Sequence, residues 1–144
     1  MKKIVLMAML ILSVTTSCFA ADTKLFSKEI NTTEKFAEIV FSPTTAENDY
    51  EKITSSFTQN IKERFSKQKF TALKKLLAQK CGNLKQLEFK ILQREPQGNI
   101  VLFIADTQKA GPVLVNIFFN NEGKILNYGI SSPQPEQQKK LSKE

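Results

Sequence analysis

The chain has 144 residues and a formal net charge of +7, from 21 Lys and Arg against 14 Asp and Glu, with no histidine, no tryptophan and two cysteines. That length bounds a single domain plus whatever is removed from its ends. The missing histidine excludes Ser–His and Cys–His relays and histidine metal sites, and no cofactor is expected.

Residues 1–20 read as an export signal. Lys2 and Lys3 form a positive start, Ile4–Leu12 is an unbroken apolar run, and Cys18 and Ala20 stand at −3 and −1 of a cleavage site after Ala20. Two other readings stay open. The 18 residues Ile4–Ala21 are marginal for spanning the ~30 Å of a bilayer core as a retained anchor. Cys18 would be the acceptor for a lipid, although Thr15-Thr16-Ser17 departs from the usual leucine-led pattern. Cleavage after Ala20 removes two lysines and lowers the charge from +7 to +5. The remaining excess is spread out, with Lys74-Lys75 and Lys139-Lys140 as the adjacent pairs. Export with no compact basic cluster argues against nucleic acid as a partner. The charge fits solubility, or loose attraction to anionic envelope surfaces. Cys81 then stands alone, so the mature chain has no internal disulfide and its stability must come from a core.

Past the signal, three amphipathic helices are expected. Phe26 and Ile30 share a helical face, and Thr32 or Thr33 is placed to cap a helix through Phe36, Ile39 and Val40 that ends at Ser42-Pro43. Thr45 or Asn48 caps a second helix with one continuous stripe, Tyr50, Ile53, Phe57, Ile61 and Phe65. Ser66 caps a third, with Phe65 and Phe70 as a hydrophobic staple. Its stripe runs through Leu73, Leu76, Leu77 and Cys81 to an exit at Gly82.

Four strands follow: Leu87–Arg94, Asn99–Asp106, Val113–Phe119 and Lys124–Ser131. Leu87, Phe89 and Ile91 give the first strand one apolar face, whereas the second and third are apolar on both faces, as in central strands. The connections Pro96–Asn99, Lys109–Pro112 and Asn120–Gly123 are short and glycine-bearing, so the strands form an antiparallel meander. After Ser132 the chain is polar with one apolar residue, Leu141, and is expected to be disordered. The fold class is α+β: three N-terminal helices packed on a curved four-stranded antiparallel sheet.

This order resembles the cone-shaped nuclear-transport-factor-2-like (cystatin-like) superfamily, and within it a bacterial group of short secreted domains of unknown function. The likeness covers roughly Glu34 to Pro133. It rests on Phe57, Ile61 and Phe65 with Phe70 and Leu73, the Gly82 exit, Gly111-Pro112-Val113-Leu114-Val115, Phe119–Ile125 and Tyr128-Gly129-Ile130. The resemblance implies a helical layer closing a curved sheet. Enzymes of that superfamily use acids, tyrosines and histidines inside the cone, and no such set matches here, so no catalytic position is carried over.

Cys81, at a helix C-terminus where a thiol pKa rises, reads as a core cysteine rather than a nucleophile. Glu88, Glu95 and Asp106 are the sheet's acids, and their spacing gives no reason to converge as a general-acid pair. Tyr50, Asn116, Asn127 and Tyr128 are polar groups on apolar elements. Each either finds a backbone partner at the core's edge or lines the cone's mouth to orient a small apolar ligand. Val101, Phe103, Ala105, Leu114 and Phe118 are expected on a second sheet face that the helices leave open, a surface for a homodimer or an envelope protein partner. The function that follows is an exported, non-enzymatic binding or assembly module. The alternatives are a small enzyme with a tyrosine or acid as its polar handle, and a membrane-tethered part of an envelope complex.

Overall fold

The structure is a computed structural model and describes residues 24–133. The export signal at residues 1–20 lies outside the described residues, as does the polar tail except Pro133, which is buried.

Among the described residues four helices precede the sheet: α1 (24–41), α2 (Asp49–Thr54), α3 (Gln59–Arg64) and α4 (Lys67–Lys80). The strands are β1 (Leu84–Glu95), β2 (Gly98–Thr107), β3 (Gly111–Asn120) and β4 (Ile125–Ser131), antiparallel and in the order β1-β2-β3-β4. The expected α+β class and the meander are both present.

Two helical expectations are corrected. Neither Thr32 nor Thr33 starts a helix. Helix α1 runs through both, and the Thr33 hydroxyl donates to the Glu29 carbonyl at 2.9 Å, one turn back. The stripe from Tyr50 to Phe65 is shared by α2 and α3 rather than carried on one helix. Between them β4 captures the main chain: Ile125 N–H donates to Ser56 O at 2.8 Å, and Thr58 N–H donates to Ile125 O at 3.0 Å. Three hydroxyl residues, Ser55, Ser56 and Thr58, make that stretch a poor helix interior. The ends of helix α4 match expectation, but its expected stripe loses Leu76, which is 46 % exposed, while Lys74 is buried. The Ser66 hydroxyl accepts from Lys69 N–H at 3.3 Å, and Gly82 leaves the helix with φ of +70°.

The sheet register decides which residues enter the core. Val101 pairs with Ile117, Phe103 with Val115 and Ala105 with Val113, and directly opposed residues share a face. All six are at most 3 % exposed and pack with Phe36, Val40, Phe57, Phe65 and Phe70. The placement of Val101, Phe103 and Ala105 on an open rear face is therefore corrected: they face the helices. Ile100, Leu102 and Ile104 face the other way, with Phe118, Asn116 and Leu114. In β1 a register shift between Phe89 and Ile91 sends Ile91 to that outer face beside Leu102, while Leu92 returns to the helix side opposite Val101. Lys74 is also turned inward. Its ammonium donates to Ile39 O at 2.9 Å and Thr44 O at 2.6 Å, tying α4 to the end of α1.

Candidate functional site

The space between helices and sheet is filled by rings. Tyr128 lies 5.2 Å from Phe36, 6.3 Å from Phe57 and 5.8 Å from Phe65, centroid to centroid, and Tyr50 lies 6.3 Å from Phe65. What remains open lies at the margins of this cluster.

One cleft, of about 420 Å³, is formed where α3 and the start of α4 meet β4. Its apolar wall is Ile61, Phe65, Leu126 and the Tyr128 ring, and its polar rim includes Asn60, Arg64, Lys69 and Asn127. Two of the four expected ligand-orienting residues, Asn127 and Tyr128, therefore come together. Burial pushes the Tyr128 phenol above its ordinary pKa, so it stays a donor. Among the described residues that hydroxyl has no hydrogen-bond partner, and neither has the Arg64 guanidinium. Asn127 Oδ1 accepts from Tyr128 N–H at 2.9 Å, occupying one main-chain donor of an edge strand. A larger cleft of about 620 Å³ lies between α1 and α2 over Phe36, Ile53 and Ile125.

The other two expected residues are elsewhere. The Tyr50 hydroxyl donates to Phe65 O at 2.8 Å, a structural tie from α2 to the α3–α4 junction. Asn116 sits on the outer sheet face between Leu102 and Gly129, half-buried and without a side-chain hydrogen bond among the described residues. Of the expected interface residues only Leu114 and Phe118 share that face. With Ile100, Leu102 and Ile104 they make five apolar positions around Asn116, flanked on the edge strands by Glu88, the exposed Ile91 and Gln93 on β1 and by Asn127, Gly129 and Ser131 on β4.

The acids of the sheet do not converge. Glu88 is occupied by Lys90 at 2.7 Å, and Asp106 and Glu95 lie at opposite ends of the outer face. The acid that sequence reasoning missed is Glu29. It is fully buried, and both its oxygens accept from Asn99 Nδ2, at 3.1 and 2.9 Å. The signal was available as a glutamate on the helical face shared by Phe26 and Phe36, where an apolar residue would be usual. Cys81 is buried as expected, and burial raises its thiol pKa. Among the described residues no cluster of acids and cysteines could hold a metal, and no helix is long and apolar enough to cross a membrane.

A family model described as a protein of unknown function, DUF3887, matches residues 37–127, more than half of the chain. The chain belongs to the DUF3887 family. The DUF3887 match begins in α1 and ends in β4, so it takes in both central strands, Tyr50, Phe57 and Phe65 of the aromatic cluster but not Phe36 or Tyr128, and the cleft except Tyr128. No curated protein and no solved structure matches the chain.

Proposed function

We propose that this chain is an exported, non-enzymatic assembly module of the nuclear-transport-factor-2-like kind, and that it associates with a second copy of itself through the outer face of its sheet. The superfamily reading is supported by the order of helices and meander, and the export reading by the sequence of residues 1–20.

One observation carries the association: β2 and β3 turn Ile100, Leu102, Ile104, Leu114 and Phe118 away from the described helices, with Asn116 among them; Ile104 and Leu114 are buried, Ile100, Leu102, Asn116 and Phe118 are half-buried, and Ile91 beside Leu102 is exposed. Apolar residues at the centre and polar residues at the rim are the usual anatomy of an interface. A second copy fits better than an unrelated partner because an asparagine amide both donates and accepts. Two Asn116 side chains meeting at a dyad satisfy each other, whereas an apolar partner leaves the amide unpaired. The strength follows from size. Four strands at ~4.8 Å spacing and seven residues at ~3.3 Å make a face of about 450 Å² in projection. A face of that size is at the small end of protein interfaces, so the association is expected to be weak and concentration-dependent.

Sedimentation at rising concentration tests this. The wild type passes from monomer to dimer, and the double variant Leu102→Glu, Phe118→Glu stays monomeric with an unchanged circular dichroism spectrum. A wild type that is monomeric at millimolar concentration overturns the proposal. Turnover across esters, ketones and lipids would favour the enzyme alternative instead.

A further inference from the structure

The cleft between α3, the start of α4 and β4 is a different surface from the outer sheet face, and its chemistry is one-sided. Its lining includes two cations, Arg64 and Lys69, and no acid. Lys69 already donates to Arg64 O at 2.7 Å and holds that turn in place while keeping its charge. Arg64 is exposed at the last position of α3, and its five N–H donors meet no acceptor among the described residues. The Tyr128 hydroxyl is a second donor without a partner, held by rings on three sides. Beside these donors stand Ile61, Phe65 and Leu126, and Leu126 is 43 % exposed. The volume of about 420 Å³ is within the ~300–1,000 Å³ typical of small-molecule sites.

From this arrangement we infer that the cleft binds a single-chain anionic amphiphile: a carboxylate or phosphate monoester on an alkyl chain. The head meets the Arg64 fork bidentately and accepts from the Tyr128 hydroxyl. The chain lies along Phe65, Ile61 and Leu126. A neutral chain of the same length leaves both donors unanswered, and a bare small anion leaves the apolar wall wet. Charge and apolar contact are therefore needed together, which distinguishes this site from the general attraction of a basic protein for anions.

Titration calorimetry with octanoate, octyl phosphate, 1-octanol and acetate tests the inference on the full chain. The two anionic amphiphiles bind, and the stronger of them identifies the head. Octanol and acetate bind at least tenfold more weakly. Arg64→Gln weakens the amphiphiles by about tenfold, the size of one charge-assisted hydrogen bond, and leaves octanol unchanged. Tyr128→Phe, which keeps the ring, weakens them severalfold. Lys85→Gln, on the opposite edge strand, changes nothing. If neither amphiphile binds at millimolar concentration, the inference fails. It fails equally if octanol binds as well as octanoate, or if Lys85→Gln costs as much as Arg64→Gln.

Discussion

At the scale of single residues, Glu29 is a fully buried carboxyl whose side-chain partner is a single amide, Asn99. A carboxylate removed from water and met by one amide is held with its pKa above the ordinary range, burial being the main cause and Asn99 partly opposing it. A carboxyl with a raised folded-state pKa contributes stability that is fully present below its unfolded pKa of about 4.3 and is lost as pH rises through the folded value. Glu29→Gln removes the charge and keeps the shape. Urea midpoints for this variant are therefore expected to gain on the wild type as pH rises above about 4, until the buried carboxyl has ionised. A wild type that gains on the variant over that range contradicts the assignment. Cys81 gives a second residue-level prediction. The residue is 6 % exposed and burial raises its thiol pKa, so Ellman's reagent reacts at least about a hundredfold faster in denaturant than in buffer. Equal rates would show the thiol to be accessible.

At the scale of elements, turn chemistry was the most legible part of the chain. Pro96-Gln97-Gly98 and the Asn120–Gly123 hairpin are where they were expected, and the Ser66 cap and Gly82 exit bound α4. Gly98 is the strictest of these positions. Its φ is +147°, and a Cβ there would stand 1.7 Å from the Phe119 carbonyl oxygen, backbone that cannot move without breaking the β2–β3 ladder. Gly98→Ala is expected to cost more than about 3 kcal/mol, a fall in Tm of at least ~10 °C by calorimetry. Gly82→Ala meets the flexible Lys109 side chain instead and costs about 1 kcal/mol. Less legible was the facing of β2 and β3. Strands apolar on both sides carry no alternation to fix which side is which, and a one-residue slip exchanges the two faces. The usable signal was turn length: three residues between Thr107 and Gly111 force Val101 opposite Ile117 and Phe103 opposite Val115, so these four share a face and Leu102 lies on the other, while packing against the helices decides which face is inner. The break between α2 and α3 had a weak local mark in Ser55, Ser56 and Thr58, but what fixes it is tertiary, the capture of Ser56 and Thr58 by Ile125. The bulge in β1 had no local mark.

On the scale of the whole molecule, the helices and the inner sheet face form one aromatic-rich core, closed at one end by Lys74 and at another by the Glu29–Asn99 contact. That leaves two surfaces with chemistry to spare, the Arg64–Tyr128 cleft and the outer sheet face. The candidate site was half legible. Asn127 and Tyr128 stood out as polar residues on an apolar strand, but Arg64 looked like any surface cation until the fold set it beside them. The association surface is the central claim, and a cysteine at its centre tests it most directly. In a Cys18→Ser chain, Asn116→Cys is expected to form a disulfide-linked dimer within minutes of mild oxidation, because the dyad sets the two thiols against each other while Cys81 stays buried. Lys85→Cys, treated alike, is expected to remain mostly monomeric on a non-reducing gel. No dimer at position 116, or equal dimer at both positions, would contradict the claim.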